Sequence, residues 1–196
     1  AITLLKNDHH TVEQLFKKFE QAGDRAHVQK RQIVDRIIEE LSTHAAIEEQ
    51  VFYPVARGSV PDTEDITLES LEEHHIIKWL LSELVDMDPT HERFDAKVTV
   101  LIENVRQHVE EEETEFFPKL RKQLGRNELA ELGEALADAK KSAPTKPHPR
   151  MPDAGRPTSG SRSPFELPGA QQPRVAPQND EMSRFVRRVL ADTEDV

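Results

Sequence analysis

The chain contains two near-copies of one motif, His-x-x-x-Glu-Glu-x-x-Phe-(Tyr/Phe)-Pro. The first copy runs over residues 44–54 and the second over 108–118, so the copies lie 64 residues apart. On an α-helix, residues i and i+4 lie one turn apart on the same face. Each copy therefore predicts an imidazole and a carboxylate that point in one direction, His44 with Glu48 and His108 with Glu112.

A second pair of segments repeats at nearly the same offset. Asp8-His9-His10 and Glu73-His74-His75 lie 65 residues apart, and each precedes its His-x-x-x-Glu partner by about 35 residues. One such motif alone would be weak evidence, but the doubled set at matched spacing indicates an internal repeat. The chain is therefore predicted to consist of two helical hairpins related by a pseudo-twofold axis.

Apolar residues recur every three and four positions in four long segments, which predicts amphipathic helices over about 2–22, 28–57, 66–85 and 91–123. Short loops join them, so we expect an all-α, up-down-up-down four-helix bundle over residues 1–125. A short fifth helix over 126–141 is expected to pack on this bundle. Because proline lacks a backbone donor, Pro54 and Pro118 predict a kink or an early end of their helices.

The C-terminal part has a different composition. Residues 142–179 hold nine of the thirteen prolines, which predicts a disordered or extended linker. Residues 180–196 are expected to form a short amphipathic helix and the terminus. That helix is interpreted as docking on the bundle or on a second copy of the chain, with a tether for another protein as the alternative.

Composition narrows the classes of partner. The net charge of −11 argues against non-specific nucleic-acid binding, and cysteine is absent, which excludes disulfides, thiolate metal sites and iron–sulfur clusters. No run approaches the ~18 apolar residues of a membrane helix, and no signal-peptide pattern is present. We therefore expect a cytoplasmic protein without nucleic-acid or membrane partners.

Six residues with metal-ligating chemistry fall on the apolar stripes of the four predicted helices: His9, His44, Glu48, His74, His108 and Glu112. Buried without compensation, such groups cost several kcal/mol each. A lone core histidine is more often a satisfied hydrogen-bond partner. Six together, with no lysine or arginine cleanly on the same stripes, favour a bound cation.

Imidazole and carboxylate donors without thiolate suit iron, manganese or zinc. Two central carboxylates can bridge a metal pair, as in other carboxylate sites in bundle cores. With an oxo or hydroxo bridge added, about two coordination positions of an octahedral pair would stay open. These positions suit water, a diatomic gas or a peroxide.

The order His … His-x-x-x-Glu … His … His-x-x-x-Glu, with its acidic residue before the first histidine and its Phe-x-Pro endings, resembles the hemerythrin-like HHE cation-binding domains over about residues 1–125. The resemblance implies two non-haem iron ions, oxo- or hydroxo-bridged. It maps their ligands onto His9, His44, Glu48, His74, His108 and Glu112. Oxygen-carrying members use five histidines, and this chain lacks an in-phase fifth, which argues against a stable oxygen carrier.

Three neighbouring residues have two interpretations each. In an ideal helix Tyr53 lies roughly 140° from Glu48, which favours packing or the surface. If Pro54 distorts the backbone, its phenol becomes an extra ligand or a radical site. Glu49 and Glu113 follow the two motif glutamates and belong to a solvated face, or else they orient a ligand histidine.

Three functions follow from the resemblance. The iron pair binds O2, NO or peroxide reversibly and the protein is a sensor or scavenger, or it acts as a peroxidase or catalase-like enzyme on H2O2 with NO or another reductant, or the protein handles iron. Open positions and the missing fifth histidine favour chemistry with reactive species over transport. The predicted partner is then a small diatomic molecule or peroxide.

Overall fold

The structure is a computed structural model, and it describes residues 1–147. Over this range the chain is helical throughout, with short connections. The segments in order are α1 (Ile2–Glu20), α2 (His27–Ile47), π1 (Glu48–Phe52), α3 (Tyr53–Ser59), α4 (Glu64–Val85), α5 (Phe94–Glu111), π2 (Glu112–Phe116), α6 (Phe117–Gln123) and α7 (Arg126–Ser142).

These segments form four long rods and one added helix. The rods are α1, α2–π1–α3, α4 and α5–π2–α6, and α1 packs on α2 as α4 packs on α5. Helix α7 packs against α1, α2 and π1 at one end. The predicted all-α bundle with a short fifth helix is thus confirmed for the described residues, none of whose helices is long and apolar enough to cross a membrane.

Two π-turns lie directly before the prolines that predict a kink or an early helix end. The backbone N–H of Tyr53 donates to the carbonyl of Glu48, and that of Phe117 donates to the carbonyl of Glu112. Each bond spans five residues instead of four, which inserts one extra residue into the turn. Pro54 and Pro118 then lie at the start of the following α-helix, where a missing N–H costs little.

The buried apolar side chains form two clusters, one on each side of the candidate site. One cluster contains the aromatic rings of π1, α3, π2 and α6 together with α7. The other contains inward residues of α1, α2, α4 and α5, among them Phe16, Leu81 and Val105. The polar residues of the motifs lie between these two clusters, so water is excluded from above and below.

Some boundaries differ from the sequence-based expectation. Helix α5 begins at Phe94 and not near residue 91, because the side chain of Asp88 accepts hydrogen bonds from the backbone and hydroxyl of Thr90 and holds a turn there. Gly125 lies between α6 and α7 as the N-cap of α7, and its N–H donates to the side chain of Glu128. The predicted linker from residue 148 onward and the amphipathic helix at 180–196 lie outside the described residues.

Candidate metal centre

All six predicted ligand residues lie together in the middle of the bundle. His9, His44, His74 and His108 come from α1, α2, α4 and α5, while Glu48 and Glu112 begin the two π-turns. None of the six is more than 6% exposed. The structure thus brings to one place the residues that the repeat predicts, and it leaves His10 and His75 exposed.

The four imidazoles form two pairs. The Nε2 atoms of His9 and His44 are 3.1 Å apart, and those of His74 and His108 are also 3.1 Å apart. Two donors at right angles, each about 2.1 Å from one cation, would be about 3 Å apart. Each pair is therefore spaced as two ligands of a single ion are.

The carboxylate of Glu48 lies between the two pairs. One of its oxygens is 3.1 Å from His44 Nε2 and 3.4 Å from His74 Nε2. Its side chain is fully buried, yet among the described residues neither oxygen finds a hydrogen-bond partner of acceptable geometry. A buried carboxylate without hydrogen bonds is costly, and a bound cation would remove that cost.

The donor atoms fall into two groups, within each of which all atoms lie within 4.8 Å of one another. One group is His9, His44, Glu48 and Glu112, and the other is Glu48, His74 and His108. Glu48 belongs to both groups and can bridge two ions. The nitrogen and oxygen donors fit two cations, and iron, manganese and zinc all accept this set.

Carboxylates also face the far side of the rings, at Nδ1. His9 Nδ1 is 2.9 Å from Glu113, and His74 Nδ1 is 3.0 Å from Glu49. A carboxylate acceptor at Nδ1 fixes the tautomer and directs Nε2 to the metal. Glu49 and Glu113 therefore contact the candidate ligands, and their repeat positions place them symmetrically.

The other two rings have acidic neighbours that the sequence interpretation did not assign. His108 Nδ1 is 2.7 Å from Glu73, and His44 Nδ1 is 3.7 Å from Asp8, which is too long for a hydrogen bond. Both acids directly precede a predicted ligand histidine in the repeat. That repeated acid–histidine pair was the signal that could have identified them.

Three of these four acids are paired with lysine. Lys6 lies 2.6 Å from Glu113, Lys78 lies 2.7 Å from Glu49, and Lys140 lies 2.5 Å from Asp8. Lysines thus do approach the centre, where they contact the outer acids. Lys140 comes from α7, outside the repeated hairpins.

Charge at the centre sets its protonation in the metal-free protein. Burial by itself lowers the pKa of His44, but the charge of Glu48 and the nearby Asp8 outweigh it and raise that pKa to about 10. The pKa of His74 is raised in the same way, by Glu48 and Glu49 against burial, to about 9. Burial favours neutral Glu48, yet the two histidines hold the pKa of Glu48 well below its usual value.

The hydroxyl of Tyr53 points into the site. It donates to Glu112 Oε1 at 3.1 Å and lies 3.2 Å from His74 Nε2. The π-turn rotates this residue away from the position of an ideal helix, which is why geometry at 100° per residue places it elsewhere. Burial, and then the charges of Glu112 and Glu48, raise the pKa of Tyr53 well above its usual value, so the phenol keeps its proton.

Aromatic rings form the floor of the site. Phe117 stacks on His9 with ring centroids 5.8 Å apart, and Phe116 stacks on Tyr53 at 5.9 Å. Phe52 contacts Phe116 and Phe117 edge-to-face. These rings hold an imidazole and the phenol in place and keep water out from below.

Residues 1–120 match the family profile described as the hemerythrin HHE cation-binding domain. A DNA nickase of a Nostoc species is 29% identical over 70% of this chain, but the chain spans only 38% of that relative. An uncharacterized hemerythrin-like protein of Schizosaccharomyces pombe is 25% identical, over 74% of this chain and 71% of its own length. The crystal structure of a hemerythrin HHE cation-binding domain-containing protein from Mycobacterium kansasii superposes with a TM-score of 0.62, at 22% identity, over 72% of this chain and 85% of that one, which shows the shared fold.

Proposed function

Since this chain belongs to the hemerythrin HHE cation-binding domain family, we propose that it holds two non-haem iron ions and uses them to bind and react with O2, NO or H2O2. The family match and the two donor groups support a cation-binding domain with a candidate His/Glu cluster. The identity and number of the ions and the reacting molecule are the proposal.

One observation carries this proposal. The Glu48 carboxylate is fully buried between two imidazole pairs, and among the described residues both of its oxygens have no hydrogen-bond partner. A single metal would leave one imidazole pair unused. Two cations that share Glu48 use every donor in the centre and supply positive charge where the carboxylates are buried.

The ligands and their supports have separate roles. We assign His9, His44 and Glu112 to one ion and His74 and His108 to the other, with Glu48 shared. Glu113, Glu49 and Glu73 accept from Nδ1 of three rings, which directs Nε2 inward and leaves it as the nitrogen that would bind an ion once any proton on it is displaced.

Tyr53 adds a proton donor next to the ligands. Its hydroxyl donates a hydrogen bond to Glu112, so it fixes the orientation of that carboxylate and can donate a proton to a molecule bound at the centre. It is also near enough to His74 to serve as an extra ligand once a cation lowers its pKa. The ring stack with Phe116 fixes its orientation.

An iron pair would supply one-electron redox steps and open positions for a small oxidant or gas. We favour peroxidase or catalase-like removal of reactive species, with reversible O2 or NO binding and iron handling as the alternatives. DNA nicking is named for a relative of which the chain spans 38%, and a net charge of −11 opposes binding to another polyanion. The lack of cysteine fits our proposal of a cytoplasmic location.

Metal content, a near-ultraviolet spectrum and peroxide turnover test the proposal together. We expect about two iron ions per chain, from the two donor groups, and near-ultraviolet absorption that a zinc-loaded sample lacks. Consumption of many equivalents of H2O2 per centre would establish an enzyme, whereas a single equivalent would favour the binding alternative. A protein that takes up zinc and refuses iron would overturn the proposal.

The pH dependence of metal binding follows from the two raised histidine pKa values. Because the pKa values of His44 and His74 are raised to about 10 and about 9, both rings carry an extra proton in the metal-free protein at pH 7, and each of the two proposed ions must displace one of them. The apparent affinity for each ion should therefore fall as pH falls below 9, by up to about tenfold per pH unit. Competition titrations between pH 6.5 and 8.5 measure this slope, and a flat profile would contradict protonated histidines.

A further inference from the structure

Two cavities meet at the candidate centre. The first is an open groove of about 520 Å³ along the seam between α1 and α5, with Lys6, Glu13 and Arg106 at its rim. The second is an internal cavity of about 20 Å³ beside all four imidazoles. A cavity of this size admits roughly one water-sized molecule.

The groove and the internal cavity share part of their walls. His9, Val12, Val105 and Val109 line both. Val12 and Val105 are almost fully buried, and Val109 is half-buried. Three valine side chains therefore separate the open groove from the space next to the metal ligands. We call Val12, Val105 and Val109 the valine gate.

The opposite seam of the bundle is built differently. The repeat counterparts of Val12 and Val105 are the larger Ile77 and Leu41, and that of Val109 is the smaller but buried Ala45; all three line the internal cavity from the side of α2 and α4. Lys78 and Ser42 are buried on that side, whereas their counterparts, Glu13 and Arg106, are half-buried and exposed. The seam between α1 and α5 is thus the side with the shorter path to solvent.

We propose that small molecules reach the metal centre through the seam between α1 and α5, and that the valine gate selects them by size and charge. The molecules it admits are neutral and no larger than a diatomic gas or a peroxide. The wall shared by the groove and the internal cavity consists of the three apolar side chains of the gate and His9, so an anion crossing it would lose most of its hydration without a replacement. At the rim, Lys6 and Arg106 are already paired with Glu113 and Glu13.

The kinetic test of the valine gate requires iron at the centre and so rests on the proposed function. In the ferrous protein, the association rate of nitric oxide, measured by stopped flow, should rise about tenfold in Val109→Ala and fall about tenfold in Val109→Phe. Val98→Ala is the matched control, because Val98 is a fully buried valine of the same helix and lines neither cavity. Its rate should equal that of the unchanged chain. Equal rates in all four proteins would overturn the gate while leaving the iron site intact.

A second measurement needs no iron and no reactivity. In the zinc-loaded protein, which is diamagnetic, dissolved O2 speeds the NMR relaxation of the methyl groups it approaches. Val109→Ala should increase this effect at Ile77 and Ala45, on the far wall of the internal cavity, and Val98→Ala should not. If the ferrous protein binds no nitric oxide, the proposed function fails, and this measurement alone decides the gate. An unchanged effect at Ile77 and Ala45 would then overturn it.

Discussion

Replacing Glu48 with alanine is expected to abolish binding of the ion at His74 and His108, to weaken binding at His9, His44 and Glu112, and to lower the free energy of unfolding of the loaded protein by about 3–5 kcal/mol. Glu48 is the one residue that belongs to both donor groups, and its side chain is fully buried. Without it, the imidazole pairs lose the shared negative charge that holds two cations close together. Metal analysis by mass spectrometry and thermal unfolding measure the two effects.

Three further variants separate the causes. Glu48→Gln keeps the side-chain volume but removes the charge, so it should lose metal with a smaller packing loss. Gln50→Ala changes an exposed residue of the same π-turn and should keep both the metal and the stability. Glu112→Ala should keep the ion at His74 and His108, because that donor group does not require Glu112. A Glu48→Ala protein with two ions and an unchanged melting temperature would refute the ligand assignment.

Replacing Phe52 with alanine is expected to lower the free energy of unfolding by about 3–5 kcal/mol. Its ring is fully buried and contacts the rings of Tyr53, Phe116 and Phe117 beneath the site. The cavity left by the ring cannot close easily, because four helical segments meet there. Urea unfolding of the metal-free and metal-loaded proteins gives the value.

Two control variants show how much of the Phe52→Ala effect comes from the lost volume of a buried ring. Phe52→Leu retains most of the volume and should lose less than half as much. Val100→Ala removes a side chain that is 45% exposed and should change the free energy of unfolding by no more than about 0.5 kcal/mol. If Phe52→Ala lowers the free energy of unfolding by less than about 1.5 kcal/mol, the neighbouring aromatic rings must move to fill the cavity, which would contradict this prediction.

The sequence predicts the helices and the six inward residues because both follow from regular periodicity. Apolar side chains at helical spacing fix which face is buried, and the repeat places His9 and His74 at matching heights. The shared fold and the family are confirmed, whereas metal ligation by the six residues stays a prediction. Its support is the pairing of the imidazoles at 3.1 Å and the burial of Glu48.

The features that the sequence did not predict depend on irregular backbone or on distant elements. The π-turns bring Tyr53 to Glu112, and periodicity arguments assume a regular helix. The lysine at Asp8 comes from α7, 132 positions away, so no local pattern links the two. The contact of Glu73 with His108 could have been predicted, because Glu73 repeats Asp8 directly before a candidate ligand histidine.

Helix α7 makes the two halves of the centre unequal. In one half Glu73 contacts His108 at 2.7 Å; in the other, Lys140 holds Asp8, which stays 3.7 Å from His44. Among the described residues, His44 is thus the one candidate ligand ring without a carboxylate within hydrogen-bond distance of its Nδ1. The duplicated hairpins therefore do not give two equivalent sites: if two cations bind as proposed, the ring of His44 is oriented less firmly than the other three, and the two ions should differ in affinity.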